Sequence, residues 1–313
     1  MGNDLTIVMY HYVRDLKYSR YPKIKGLDIK LFKKQIQFFK NNYHFVRCEE
    51  VLEARYTNQS LPKNSLLLTF DDGYIEHYTN VFPILKENHI QGLFSVPGQL
   101  IAEHKVLDVN KIHFILSSSS VDNILKLIFG YLDYYRGLEH CFPENQELYQ
   151  KLAIANRFDS ADVVFIKRLL QVELEECLRK QMIDCLFQDC VGVEERVFAQ
   201  ELYMKKDQIE FMKREGMSFG IHGYTHDWLA FLEPQKVQAD IEKALDVFDS
   251  VLDRNAWICC YPYGSYNETV VEIAKQFGTV AGLSTEVRIA NLDQDDIMHL
   301  PRMDTNDFLY FKV

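Results

Sequence analysis

The sequence predicts an α/β protein built on a mostly parallel sheet, open or closed into a barrel, and interrupted by an all-helical insertion. Three observations point that way. Short apolar, β-branched runs alternate with segments of helical periodicity. The alternation fails over one long stretch, where helical patterns stand alone. Residues suited to catalysis collect around the ends of the apolar runs, where the sites of parallel α/β folds gather.

The predicted strands are Leu5–Tyr10, Ser65–Phe70, Leu93–Val96, Phe219–Ile221, Ala256–Tyr261 and Val280–Leu283. Predicted helices lie between most of them, over Ile29–Asn41, Tyr74–Glu87, Lys206–Glu215, Pro234–Leu252 and Glu268–Phe277. In the fourth, Val237, Ile241, Leu245 and Phe248 recur at helical spacing. Alternation of this kind implies parallel strands covered by helices.

Residues 105–199 form the exception. Val121, Ile124, Leu125, Ile128 and Phe129 mark an amphipathic helix with Ser119 or Ser120 as N-cap, and Val164–Phe187 reads as a second, longer helix. The block is too apolar and periodic for a linker. The chain therefore divides into an α/β part, 1–104 with 200–313, and a helical insertion, 105–199. Tyr131, Tyr134 and Tyr135 of the insertion are expected to be packing residues, with stacking on sugar rings as the alternative. A homo-oligomer contact through this block is equally compatible.

With 313 residues, 47% hydrophobic and 26% charged, the chain has the composition of a globular protein with material for a sizeable core. A net charge of −10 argues against a nucleic-acid partner. The seven cysteines include no CxxC pair, so reduced, mostly buried thiols are expected. The N-terminal residues lack the basic-then-apolar pattern of a signal peptide, and no run of about 18 apolar residues suggests a membrane span. The expected location is the cytoplasm.

Four segments carry the chemistry, and three of them follow a predicted strand. In Leu66–Tyr74, a buried strand runs into Asp71, Asp72 and Gly73. Adjacent carboxylates repel and their pKa values split unless a cation is near, so one can bind a metal while the other stays a base. A polar turn closing a strand is the plain alternative. In Phe219–His226, His222 and His226 can meet on one side of a helical turn at metal-ligand spacing. Two surface histidines in a loop would look the same. In Cys259–Asn267, a strand ends in Pro262-Tyr263-Gly264, a turn whose N–H groups can face an oxyanion, or merely a strand-to-helix turn capped by Asn267. In Ile7–Val13, His11 at a strand end suits a general acid or base, against a satisfied structural histidine.

Taken together, Thr69–Gly73, His222–His226 and Tyr261–Tyr263 resemble the Thr-Phe-Asp-Asp-Gly, His-Ser/Thr-x-x-His and strand-Pro-Tyr motifs of the polysaccharide deacetylase family, in the family's order. The resemblance covers roughly 1–104 and 200–313 and leaves the insertion unexplained. It implies a distorted (β/α) barrel of about seven strands and a hydrolase that removes acetyl groups with a divalent metal, zinc first among the candidates. Carried over by motif, Asp72, His222 and His226 would hold the metal. Asp71 would be the base, and the Tyr263 N–H would serve the oxyanion. Met9-Tyr10-His11 is similar to a permuted branch of the family, which includes biofilm poly-N-acetylglucosamine deacetylases and begins with a Tyr-His strand. That similarity gives the acid role to His11, with His299 as competitor.

Two departures stand out. Gly223 replaces the usual Ser or Thr, which suggests a lost supporting hydrogen bond. Cys260 stands where many members place the arginine that tethers the base, and Arg302 is the expected substitute. The expected partner is an N-acetylated sugar, nucleotide sugar or glycan. A silent sugar-binding relative and a deacylase of a small non-sugar amide are the alternatives, and a structural zinc site would want four protein ligands.

Overall fold

A computed structural model describes residues 3–57, 59–137, 140–156 and 159–311. The chain forms two compact units, Met1–Asp15 with Gly26–Lys105 and Ala199–Val313, and Leu16–Lys25 with Val106–Phe198. Residues 16–25, placed in the α/β part from the sequence, cluster with the helices instead. The reason is aromatic packing: Tyr21 meets Phe114 and Phe198 edge-on, with centroids 4.9 and 5.8 Å away.

The first unit is an α/β barrel of distorted form. Its strands are β1 (Asp4–Tyr10), β2 (Ser65–Asp71), β3 (Gly92–Val96), β4 (Ser218–Ile221), β5 (Trp257–Cys260), β6 (Thr279–Leu283) and β7 (Met303–Asp304). β1 to β6 pair in parallel, each with the next in the series. Leu300 then bridges to Leu283 in the parallel sense, and Met303 pairs with Val8. The short 300–304 segment thus links the last long strand back to the first. Two further short strands attach at the edges, His44–Phe45 along β2 and Ala290–Asn291 antiparallel to β1.

The two-residue pleat of β2 sorts its side chains. Leu66, Leu68 and Phe70 join the apolar layer under the helix Ile29–Asn42, with Phe32, Ile36 and Phe39. Leu67 joins the layer of Trp257, Ile241 and Val270. Thr69 and Asp71 continue that second alternation, so the strand delivers a carboxylate inward at its C-terminal end. The helix Ile29–Asn42 begins where Asp28 accepts a hydrogen bond from the Lys30 N–H at 2.9 Å, and Glu268–Gln276 begins at its expected cap, Asn267.

Two predicted helices are broken. Tyr74–Glu87 contains a π-helical turn at His77–Val81 before the regular helix Phe82–Glu87. In the second unit, Val164–Phe187 is two helices, Ala161–Arg168 and Glu176–Cys190, separated by a wide turn and by Leu174 in extended conformation. Glu175 and Glu176 supply the negative charge that favours a new helix start there. Helices Asp108–Ser118, Val121–Arg136 and Asn145–Leu152 also belong to this unit, with Ser120 as the cap of the second, and the helix Glu195–Leu202 begins in it. Tyr135 is buried in it, Tyr131 donates its hydroxyl to Asp189 at 2.6 Å, and Tyr134 meets Tyr135 edge-on.

The cysteines are free, but only Cys48, Cys259 and Cys260 are buried, while Cys141 and Cys177 are exposed. The expectation of mostly buried thiols fails because Cys141 and Cys177 sit at helix ends and connections rather than on apolar stripes. No helix among the described residues is long and apolar enough to cross a membrane.

Candidate active site

All four segments singled out in the sequence lie at the C-terminal ends of strands β1, β2, β4 and β5. Asp71 is the last residue of β2, and Asp72 and Gly73 follow in the left-handed region, with φ of 72° and 65°. A Cβ on Gly73 would come within 2.7 Å of the Val96 side chain, so the turn needs glycine. The turn sends two successive carboxylates into different surroundings.

Asp71 is held from several sides. One Arg302 terminal nitrogen donates to its Oδ1 at 3.0 Å and lies 2.9 Å from its Oδ2, and the Cys260 thiol donates to Oδ1 at 3.4 Å. Arg302 is itself anchored through its Nε–H to the Ser284 carbonyl at 2.8 Å and through its terminal nitrogen to Thr69 Oγ1 at 3.1 Å. Burial pushes the Asp71 carboxyl up, but the charges of Arg302, His222 and His11 outweigh it and hold the group below its ordinary value. The arginine missing from position 260 is thus replaced in space by Arg302, from the segment that closes the sheet. Burial keeps the Cys260 thiol protonated, and so a donor.

Asp72 has a different environment. The Tyr74 hydroxyl donates to its Oδ2 at 2.6 Å, while its buried Oδ1 has no hydrogen-bond partner. That oxygen lies 3.5 Å from His222 Nε2 and 3.4 Å from His226 Nε2, and the two nitrogens are 3.2 Å apart. His222 donates its Nδ1–H to the Cys260 carbonyl at 2.7 Å, which leaves Nε2 as a bare lone pair. Burial depresses the His222 pKa to about 4, so the ring is neutral at physiological pH. Burial pushes Asp72 up, and contact with His226, then His11 and His222, brings it well below the carboxylate range.

Three possible ligand atoms, Asp72 Oδ1 and the Nε2 atoms of His222 and His226, therefore face one another in a buried corner. Ligands of a tetrahedral zinc ion bound at about 2.0–2.2 Å stand about 3.3–3.6 Å apart. The observed edges of 3.2, 3.4 and 3.5 Å fit that triangle, and the unpartnered Asp72 Oδ1 is the polar atom an ion would satisfy. Three protein ligands are the number of a catalytic zinc site, which keeps a position for water or substrate.

The histidine pair is not assembled by a helical turn. Residues 222–226 form a loop in which Gly223 and His226 are left-handed, with φ of 69° and 62°. Asp240 clamps this loop: it accepts from the Tyr224 N–H at 2.7 Å and from the Thr225 N–H and hydroxyl at 2.9 and 2.8 Å. A Cβ on Gly223 would stand 3.0 Å from Asp240 Oδ2. Glycine is therefore a steric and conformational requirement here, and the support expected from Ser or Thr comes from Asp240. Asp240 was missed in the sequence, although a carboxylate between Val237 and Ile241 on an apolar helix stripe was a visible anomaly.

Tyr263 sits at the tip of the Pro262–Gly264 turn with φ of 57°. Of the six non-glycine residues with positive φ among the described residues, Asp72, His226 and Tyr263 lie here, so backbone strain concentrates at this corner. The Tyr263 ring meets His226 edge-on at 4.7 Å and stacks on Trp228 at 4.3 Å. His11 follows β1 directly, and its carbonyl accepts from buried His77 Nε2 at 2.9 Å. His299 instead stacks on Tyr266 at 4.9 Å and faces Asp296 at 3.8 Å.

The Bacillus subtilis (strain 168) protein YxkH is 30% identical over 92 residues, 29% of this chain and 33% of that protein. The Escherichia coli (strain K12) poly-beta-1,6-N-acetyl-D-glucosamine N-deacetylase is 46% identical over 46 residues, 15% of this chain and 7% of that protein. The chain thus aligns with a third or less of the length of these relatives. Among solved structures, Streptococcus pyogenes deacetylase PplD in complex with acetate matches 97% of this chain and 93% of its own at 19% identity, TM-score 0.59. IcaB from Ammonifex degensii matches 97% and 93% at 16% identity, TM-score 0.55. These two likenesses establish the fold. The family profile described as polysaccharide deacetylase matches residues 58–124 and 177–282, more than half of the sequence, and the chain belongs to that family.

Proposed function

We propose that the protein is a metal-dependent N-deacetylase that hydrolyses the acetamido group of an amino sugar within a glycan. The observation that carries this reading is the buried triangle of Asp72 Oδ1, His222 Nε2 and His226 Nε2 beside a separately tethered carboxylate, Asp71. The named activity of the Escherichia coli relative and the family membership support the substrate class.

Asp72, His222 and His226 would hold a divalent ion, zinc being the first candidate for two imidazoles and a carboxylate, and the bound ion would supply Lewis acidity and a more acidic water. Asp71 accepts the proton of the attacking water. Its low pKa keeps it ionised, and Arg302 with Cys260 fixes its orientation. The Tyr263 N–H donates to the carbonyl oxygen as negative charge develops there, a contribution of about 3 kcal/mol in comparable oxyanion holes. His11 gives a proton to the departing nitrogen, because an amide nitrogen leaves only when protonated. His11 rather than His299 is assigned this step because it follows β1 at the strand ends that carry the carboxylates, whereas His299 stacks on Tyr266 and faces Asp296. The products are acetate and a free amino sugar.

The test is acetate release from a panel of N-acetylated oligosaccharides, monosaccharides and nucleotide sugars by zinc-loaded protein, with Asp71→Asn alongside. Release that needs zinc and disappears in the variant is expected. Release that persists in Asp71→Asn would contradict the assignment of the base.

A further inference from the structure

The segment after His226 carries rings that the chemistry above does not use. From His226 outward, Tyr263 lies edge-on at 4.7 Å, Trp228 stacks on Tyr263 at 4.3 Å and 5°, and Phe231 stands 6.1 Å beyond Trp228 at 38°. Phe231 is 80% exposed, the most exposed large apolar side chain among the described residues.

Its backbone is pinned. Leu229–Phe231 is a single 3-10 turn over buried Leu229, closed by the Phe231 N–H to the Trp228 carbonyl at 3.0 Å. The Ala230 N–H donates to Ser265 Oγ at 3.1 Å, and the Ala230 carbonyl accepts from Asn267 Nδ2 at 3.1 Å. An apolar ring held out to water on a rigid turn adds nothing to the core, yet it meets a ligand with little ordering cost.

We infer that Trp228 and Phe231 form a subsite for a second sugar ring, adjoining the unit whose acetamido group reaches Asp71 and the metal ligands. Flat aromatic faces suit the C–H face of a pyranose and leave its hydroxyls to water, and the platform is continuous with His226 through Tyr263. The inference rests on the proposed deacetylase reading and sharpens it: the substrate is an oligomer or polymer, and a monosaccharide occupies only the inner part of the site.

The chain has two tryptophans, and Trp257 is 1% exposed with its indole N–H bonded to the Phe277 carbonyl. A ligand-dependent change in indole emission therefore reports Trp228. The protein is titrated with β-1,6- and β-1,4-linked N-acetylglucosamine pentamers and with N-acetylglucosamine itself. A saturable change with a pentamer is expected, which Trp228→Phe removes and Phe231→Ala weakens about tenfold, the scale of one good aromatic contact. In parallel acetate assays, the pentamer-to-monosaccharide ratio of kcat/KM is expected to fall by about the same factor in Phe231→Ala.

No saturable change with either pentamer overturns the subsite. An unchanged ratio in Phe231→Ala, with acetate still released, also overturns it and leaves the deacetylase reading intact. Phe231-dependent pentamer binding without acetate release from any sugar keeps the subsite and removes the proposed reaction. A concentration-dependent emission change without sugar would assign the platform to a second copy of the chain and overturn the inference.

Discussion

Asp71 and Asp72 are neighbours in sequence and both buried, yet their surroundings differ in kind. On the Asp71 side both carboxylate oxygens are paired: they lie within 3.0 Å of an Arg302 nitrogen, and Cys260 adds a donor. On the Asp72 side Tyr74 satisfies Oδ2, while Oδ1 faces two imidazole nitrogens at 3.4 and 3.5 Å and has no hydrogen-bond partner. Burial alone does not tell the two groups apart, and their partners do. A carboxylate with both oxygens paired inside the protein is oriented for proton transfer, whereas a buried oxygen left open beside two imidazoles is arranged for a cation.

The comparison is broken most severely by removing either carboxylate. Asp72→Ala and Asp71→Asn should both reduce acetate release to background, the first through lost metal and the second with metal retained. The next effect is on stability. Arg302→Met leaves the Asp71 charge buried without its cation and should cost about 3–5 kcal/mol in urea unfolding, much of which the double variant Arg302→Met/Asp71→Leu should recover. Arg302 lowers the Asp71 pKa, so its removal raises it, and the acid limb of kcat/KM should move to higher pH in Arg302→Met. An unmoved limb would show that another group sets it.

Smaller effects sharpen the Asp72 side. Tyr74→Phe removes the donor to Oδ2 and should weaken zinc affinity roughly 10- to 100-fold, measured by competition with a chelator, while Asp71 stays in place. Gly223→Ala forces an alanine into the left-handed region beside Asp240 and should cost about 1–3 kcal/mol by thermal unfolding. No loss there would mean that the loop relaxes without its clamp.

Much of this was legible in the residues. The apolar runs announce six of the barrel strands because parallel strands buried on both faces are continuously hydrophobic. The β7 segment was not announced, since two residues in β geometry have no periodicity to read. The Thr69–Gly73 segment signals its carboxylates only together with the His222–His226 and Tyr261–Tyr263 segments, since alone it also reads as a polar turn, and Arg302 was expected from the arginine missing at position 260. The mode of assembly was hidden. His222 and His226 look like a helical pair, but φ values of 69° at Gly223 and 62° at His226 bend a loop to the same end. The clamp by Asp240 joins elements that sequence spacing cannot relate. The helix break at Leu174 was masked because apolar residues on both sides keep the same period.

The most direct test of the central claim is the zinc stoichiometry of three proteins after dialysis: the unaltered chain, Asp71→Asn and Asp72→Ala. Two different jobs for the adjacent carboxylates predict one bound ion per chain in the first two and none in the third. Zinc retained by Asp72→Ala, or lost from a folded Asp71→Asn, would contradict that division.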